Sequence, residues 1–268
     1  MPAVNPRLET LALATGIALA APNVFAQSFD TVRLYGAAPG SDGGAFGAAV
    51  ITSPEYRGSD ARRTMLLPLL DYQWASGWFA GASNGIGFNF SGTPQMQYGL
   101  RVTADLGRKE SRSSALRGMG DVPAALEGGG FFNYHLSREL LLTSTLRYGA
   151  GVGHKGLVVD LGAGYSTVIA PAWRLGAGAG LTFVNARYMQ SFFGVTAGQS
   201  AASGYAVTTA GAGVRDVRVN TMLTYSIDPR LAVTTVLSAS SLQGDAKDSP
   251  LTRKRTSATG VVAVTYAF

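Results

Sequence analysis

Seven charged residues lie on the small and polar side of alternating segments, where they could form ion pairs or guide a charged solute. They are Asp71, Arg101, Asp105, Glu127, Arg147, Asp160 and Arg174. If the segments close into a barrel of about twelve strands, this side faces the lumen. A lumen of that size is wider than the filled interior of an eight-stranded barrel and narrower than the water channel of a sixteen-stranded one. Opposite charges would then pair across the lumen as a structural network. The alternative is a narrow path lined by Arg101, Arg147 and Arg174, which would favour anionic solutes.

Enzymatic or metal chemistry finds little support in the sequence, which contains His135, His154 and no cysteine. A hydrolytic triad needs a nucleophile, a base and an orienting group within hydrogen-bond reach. His154 could approach Asp160, but a solvated loop histidine is the simpler interpretation. Two histidines on separate strands without an acidic cluster do not indicate a metal site. We therefore predict a protein that is not an enzyme, with no catalytic, cofactor-binding or metal-binding residues.

The elements that position the seven charges are predicted to be membrane-spanning strands. In 96–107, for example, apolar and polar residues alternate over the spanning length of a tilted transmembrane strand. Aromatic residues fall near the strand ends, as an interfacial girdle requires. Since no apolar run reaches the length of a spanning helix, the chain can cross a membrane only as a closed barrel.

Counting strands from residue 43 gives eleven, and alternation around 29–37 supplies a twelfth. The eleven predicted strands are 43–52, 64–74, 78–89, 96–107, 122–135, 139–149, 156–169, 172–185, 212–227, 231–243 and 257–268. Ten strands remain an alternative if 29–52 is irregular. The predicted fold class is all-β, a transmembrane antiparallel up-and-down β-barrel of about twelve strands.

The turns of this predicted barrel sort by length. Short turns occur at Ser76-Gly77, Ser137-Arg138, Pro171 and Asp228-Pro229, and long polar loops occur at 107–121, 186–210 and 244–256. In outer-membrane barrels short turns face the periplasm and long loops face outwards. The C-terminal residues Val264, Tyr266 and Phe268 are similar to the terminal signal that the outer-membrane assembly machinery reads. Counting back from Phe268 places 228–229, 171 and 137–138 at the periplasmic end and all three long loops outside.

Export is predicted from the N-terminus. Residues 1–26 have the pattern of a signal peptide, with Arg7, an apolar run and small residues before Gln27, which leaves 27–268 as the barrel domain. The formal charge of +6 is spread singly along the chain and does not indicate nucleic-acid binding. Outer-membrane lipid, lipopolysaccharide phosphates or an acidic periplasmic partner are the more natural contacts.

Six segments in fixed order carry a resemblance to a known family. They are 53–59 (SPEYRGS), 85–90 (GIGFNF), 116–121 (LRGMGD), 187–195 (RYMQSFFGV), 213–217 (GVRDV) and 248–251 (DSPL). In these segments the sequence resembles the MltA-interacting protein (MipA/OmpV) family of outer-membrane proteins. The resemblance implies a scaffold that brings a lytic murein transglycosylase together with a murein synthase. It supplies no catalytic residues.

The sequence therefore predicts a bacterial outer-membrane β-barrel that acts as a scaffold for peptidoglycan remodelling machinery. A small-solute channel with a charged lumen is the alternative. Steady single-channel currents would distinguish the channel from the scaffold. The partner's identity and binding face, the state of the lumen and the oligomeric state do not follow from the sequence.

Overall fold

The computed structural model describes residues 40–150 and 156–268. Within them lie twelve strands, namely β1 Gly43–Pro54, β2 Arg62–Gln73, β3 Trp78–Gly81, β4 Gly85–Asn89, β5 Met96–Asp105, β6 Ala125–His135, β7 Leu140–Ala150, β8 Leu157–Ala170, β9 Trp173–Val184, β10 Gly213–Ser226, β11 Leu231–Leu242 and β12 Thr256–Ala267. The helices in the same ranges are α1 Ala186–Phe193, α2 Ala197–Ser203 and α3 Gly244–Asp248, with 3-10 turns at 110–112 and 114–116.

The strands form one closed barrel in which every strand runs antiparallel to its neighbours in the chain. β1 closes the barrel against β12, with Ala45 opposite Ala267 and Thr52 opposite Gly260. Closure removes the unpaired strand edges that lipid could not satisfy. The predicted all-β, up-and-down barrel of twelve strands is confirmed. The strand predicted at 29–37 lies outside the described residues.

The prediction of one continuous strand over 78–89 is wrong, because this segment folds back on itself as the short β3–β4 hairpin. Trp78 pairs with Phe88, and Gly81 pairs with Gly85 across the turn at 82–84. Gly85 has a φ of 75°, a conformation that side chains other than glycine rarely adopt. The hairpin supplies the twelfth strand and places the turn at 76–77 at the same barrel end as the other short turns.

The hairpin also leaves a gap in the barrel wall. β3 pairs with β2 only as far as Gly81–Asp71. β4 pairs with β5 only between Ile86–Val102 and Asn89–Gly99. Residues 62–69 of β2 and 104–105 of β5 therefore have no described pairing partner on the hairpin side of their strands. We call this gap the notch.

Alternation along each strand separates a lipid-facing side from an inward side. On β5, Leu100 is 60% exposed and Val102 48%, whereas Arg101 is 7% exposed and Asp105 3%. Apolar side chains that remain exposed on the outside of a barrel are those that contact lipid. The predicted face of each β5 residue is thus reproduced.

Part of the interior is apolar. The inward faces of β1, β2, β10, β11 and β12 contribute one packed cluster, formed by Ala49, Ile51, Leu67, Leu69, Met222, Val236, Val261 and Ala263. The buried charged residues of the strands lie on β5 to β8, at Asp71 of β2 and, on β10, at 215–218, which is nearer the long-loop end than Met222. The barrel interior thus has an apolar and a charged side.

The connections divide between the two barrel ends. The short turns, including 74–77, 136–139, 171–172 and 227–230, share one end with Phe268, whose backbone N–H donates to Gly44 O at 2.9 Å. The long loops, with all three helices, share the other end. None of the helices in the described part of the chain is long and apolar enough to cross a membrane.

Asp71 is expected to stabilise the hairpin turn. Its carboxylate, 8% exposed, accepts hydrogen bonds from Ser83 Oγ at 2.6 Å and Ser83 N at 3.2 Å. Asp71→Ala should lower the free energy of unfolding by about 1–3 kcal/mol, because buried donors lose their acceptor. Urea unfolding of the barrel in lipid vesicles measures this. Asp42→Ala is the control, since the exposed Asp42 also accepts a backbone N–H, that of Ala75, and equal losses in both variants would contradict the assignment.

Candidate functional site

A buried ion-pair network occupies the charged side of the lumen, near the long-loop end. Arg147 donates from Nη1 to Glu127 Oε2 at 3.0 Å and from Nη2 to Asp160 Oδ2 at 2.6 Å. Arg218 reaches the other oxygen of Asp160 from Nη2 at 3.1 Å. The side chains of all four are at most 6% exposed. Such charges can be buried because each meets an opposite charge within hydrogen-bond distance.

The network continues from the barrel wall to the loops above it. Arg218 Nη1 lies 3.3 Å from Asp216 Oδ1, and Arg215 Nε donates to Asp216 Oδ2 at 2.6 Å. Arg215 Nη1 donates to the Tyr188 hydroxyl of α1 at 3.0 Å. A chain of charged contacts thus links β6 to a helix of the long loops.

The strand register gives these arginines the room they need. Arg147 lies opposite Gly129 of β6, and Arg218 lies opposite Gly180 of β9. A glycine presents no side chain, so the guanidinium can lie over the neighbouring strand. The register between β9 and β10 shifts between Val214 and Asp216, a β-bulge that leaves both Arg215 and Asp216 buried.

The structure brings three of the seven sequence-predicted residues together, Glu127, Arg147 and Asp160. Arg101 and Asp105 are buried on the inward face of β5, and Asp105 accepts the N–H of Gly107 at 2.7 Å. Asp71 holds the hairpin turn, and Arg174 is exposed at the short-turn end.

Other members of the network were not predicted, namely Arg215, Asp216 and Arg218. Alternation on β10 carries a signal for Asp216 and Arg218, but the bulge that also buries Arg215 is visible only in the pairing register. His135 lies at the end of β6. His154 lies outside the described residues.

The long loops pack over the lumen as an apolar layer. The side chains of α1 that are buried are Tyr188, Met189, Phe192 and Phe193. They form a cluster with Val122, Val158, Val184 and Leu242, at or near the strand ends. Asn185 caps the start of this helix, because its Oδ1 accepts the Tyr188 N–H at 3.0 Å, and it follows the end of β9 directly.

Hydrogen bonds tie together the four loops 55–61, 106–124, 185–212 and 243–255, which we call the cap. Arg108 Nη1 donates to Phe192 O at 2.7 Å, Ser249 Oγ to Phe193 O at 2.6 Å, and Tyr56 OH to Leu251 O at 3.0 Å. The loops arise from strands around the barrel, so these contacts cross its outer mouth. Burial raises the pKa of the Tyr188 phenol, while Arg57 and Arg215 beside it act in the opposite direction.

Beneath the cap lies a cavity of about 180 Å³, lined by both cap and strand residues. Its charged lining residues are Arg57, Arg63, Arg108, Arg112, Arg215 and Arg218, with Glu55, Asp105 and Asp216. Cations therefore outnumber anions on its surface.

At the opposite end the C-terminus belongs to an aromatic belt. The ring centroids of Phe46 and Tyr266 are 5.4 Å apart, and Phe268 lies 6.0 Å from both Phe46 and Tyr72. Val264 and Phe268 are 45% and 55% exposed on the outer face. Trp78–Phe88 and Trp173–Tyr225 are further pairs at this end. Aromatic rings in this position lie at the membrane–water interface.

A closed barrel with a lipid-facing apolar band and an aromatic belt defines the chain as a bacterial outer-membrane β-barrel protein. Residues 46–268 match the family described as MltA-interacting protein MipA. The chain belongs to this family, and the resemblance seen in its sequence is confirmed.

Solved structures with a similar fold are outer-membrane barrels of low sequence identity. The KdgM porin is 10% identical, with a TM-score of 0.47 over 84% of this chain and 99% of that chain. The NanC porin is 12% identical, with a TM-score of 0.47 over 82% and 98%. An outer-membrane channel from Pseudomonas putida F1 is 13% identical, with a TM-score of 0.45 over 90% and 100%. No curated protein matches the chain closely enough to count as a relative.

Proposed function

We propose that this protein is a non-enzymatic scaffold for peptidoglycan remodelling, which recruits a lytic murein transglycosylase and a murein synthase to the outer membrane. The observation that carries the proposal is the family match over residues 46–268, since the family is described by its interaction with MltA. The cap supports it as well, because loops tied across the mouth favour a fixed structure over an open pore.

The docking surface we propose is the short-turn end, which in outer-membrane barrels faces the periplasm. Among the described residues, its exposed charges are Asp42, Arg138, Glu139, Arg174, Asp228 and Arg230. The turn at 227–230 is well defined, because Asp228 Oδ1 accepts the N–H groups of Arg230 at 2.7 Å and Leu231 at 2.8 Å. These two hydrogen bonds lower the pKa of the Asp228 carboxyl. The end therefore presents fixed charges of both signs.

Reversing the charge of two periplasmic arginines should weaken partner binding. Arg138→Glu/Arg174→Glu is expected to reduce capture of a purified lytic transglycosylase by about tenfold, which corresponds to 1.4 kcal/mol. The side chains are exposed, so the barrel should remain folded. Surface-immobilised protein in detergent gives the dissociation constant.

The matched control is Lys109→Glu/Arg117→Glu, which changes two exposed charges of the cap at the opposite end. It should bind like the unmodified protein. The scaffold proposal fails if the unmodified protein captures neither murein enzyme while planar-bilayer recordings show steady currents. That result would favour the solute channel.

A further inference from the structure

The cavity beneath the cap contains arginines that the ion-pair network does not use. Arg215 and Arg218 are paired with Asp216, and Arg218 also with Asp160. Arg57, Arg63, Arg108 and Arg112 have no carboxylate oxygen within 4.0 Å in the described ranges. Four guanidinium groups at one cavity therefore have no ion pair within the described part of the chain.

Arg108 is the most deeply placed of these four. It is 3% exposed, and its Nε and Nη2 have no hydrogen-bond partner among the described residues, although Nη1 is held by Phe192 O. Burial lowers the pKa of its guanidinium. A buried donor without an acceptor costs free energy, which a bound anion would offset.

Arg63 and Arg112 are held near each other in spite of their like charge. Arg112 acts electrostatically on the Arg63 guanidinium as a neighbouring cation, and the buried Arg63 Nε has no partner within the described chain. Neither side chain donates a hydrogen bond to another described residue. Among the described residues, Glu55 lines the same cavity and acts on Arg63 in the opposite direction, but it makes no ion pair with either arginine. An anion bound between the two arginines would offset their repulsion directly.

The cavity is next to the notch. Its lining includes Arg63 on β2 and residues 105–108 at the end of β5, which lie on the two sides of the notch. Both positions are at the long-loop ends of their strands, near the outer boundary of the barrel. A group carried by a lipid of the outer leaflet could reach the cavity through the wall as well as through the cap.

We propose that this cavity is a binding site for a phosphate group, held by Arg63, Arg108 and Arg112. Guanidinium groups bind phosphate oxygens through paired charge-assisted hydrogen bonds, and a phosphate offers enough oxygens for several arginines at once. Because a water molecule needs about 10–15 Å³ of such space, a cavity of about 180 Å³ has room for a phosphate and part of the molecule that carries it. The carrier is a phosphorylated glycolipid of the outer leaflet or a soluble phosphate.

Binding of two phosphate probes to the full protein, refolded in detergent to remove bound lipid, tests the proposal. The probes are inorganic phosphate and diphosphorylated lipid A, with phosphate-free lipid A as the lipid control. The variant Arg63→Gln/Arg112→Gln should bind the phosphate probes about tenfold more weakly by calorimetry. Lys109→Gln/Arg117→Gln removes two exposed charges from the same region and should bind like the unmodified protein.

The midpoint of thermal unfolding gives a second readout. The double variant should bind phosphate more weakly, yet it should not unfold at a lower temperature when phosphate is absent. Without phosphate, Arg63→Gln/Arg112→Gln should be at least as stable as the unmodified protein, since it loses repulsion and no internal hydrogen bond. Phosphate should raise the midpoint of the unmodified protein more than that of this variant. If the double variant does not refold, Arg112→Gln alone is used, because its side chain lies in the cap and makes no internal hydrogen bond.

The outcomes separate the sources of the phosphate. The glycolipid is supported if lipid A binds more tightly than inorganic phosphate, if this binding requires the phosphates of lipid A, and if the Arg63→Gln/Arg112→Gln variant weakens it. A soluble ligand is supported if inorganic phosphate binds as tightly as lipid A and the Arg63→Gln/Arg112→Gln variant weakens its binding. The proposal is overturned if both double variants bind alike, or if phosphate-free lipid A binds as well as the phosphorylated form. None of these outcomes depends on murein enzymes, so the scaffold proposal is tested separately.

Discussion

Arg147→Met is expected to lower the free energy of unfolding by about 3–5 kcal/mol, because removing one partner of a buried ion pair leaves the other partner charged and buried. Arg147 is the ion-pair partner of Glu127 among the described residues, and both side chains are 1% exposed. Without Arg147, Glu127 would be a buried carboxylate with no ion-pair partner among the described residues. Asp160 would keep Arg218 and the Thr182 hydroxyl, so Glu127 should account for most of the loss.

Urea unfolding of the refolded barrel in vesicles, followed by tryptophan fluorescence, measures this loss. Arg174→Met is the matched control, because this arginine is exposed and its removal should change stability by less than about 1 kcal/mol. Adding Glu127→Gln to Arg147→Met should recover a large part of the loss, since the uncompensated charge is then gone. If Arg147→Met and Arg174→Met destabilise alike, or the second substitution recovers nothing, the network has no structural role.

The strand pattern of the sequence predicted the barrel because lipid on one side and a polar interior on the other impose strict alternation. On β5 this rule places Arg101 and Asp105 inwards and Leu100 outwards; the first two side chains are buried and Leu100 is exposed. The same rule failed at 78–89, where apolar residues lie on both sides of a short polar turn and the total length suits one spanning strand. The Ser83-Asn84-Gly85 sequence was the available turn signal, and its partner, Asp71, lies on another strand.

The site was predicted in part, for a physical reason. Alternation tells which face a side chain is on, so Glu127, Arg147 and Asp160 could be proposed as lumen residues. Alternation does not tell which residues lie at the same level along the barrel axis, because this depends on the register between strands. The pairing of Arg147 with Glu127, and the bulge that buries Arg215, depend on that register.

The cap was predicted only as three long polar loops. Its buried residues, among them Tyr188 and Phe193, form an amphipathic helix inside a segment that interrupts the strand pattern. What fixes the helix is tertiary, namely the rim residues Val158 and Val184 and hydrogen bonds from other loops. Period-two alternation carries no information about such contacts.

Phe193→Ala should open the cap while leaving the barrel folded. Phe193 is 1% exposed in the apolar layer, and truncating a buried phenylalanine costs about 3–5 kcal/mol. The cap is held by this layer and a few hydrogen bonds, whereas the barrel is held by twelve strand pairings that close on themselves. The two parts should therefore differ in local stability, and the loss should fall on the cap.

Limited trypsin digestion with mass spectrometry measures cap opening, through the rate of cleavage after Arg187 inside α1. Cleavage should become at least about tenfold faster in Phe193→Ala, if most of the lost packing energy stabilised the closed cap. Phe132→Ala is the control, since Phe132 is a lipid-facing residue that is 46% exposed. Heat-modifiable gel mobility should show a folded barrel in both variants. Unchanged cleavage in Phe193→Ala would contradict the role of Phe193 in holding the cap closed. Loss of the folded barrel together with the cap would show that the two unfold as one unit.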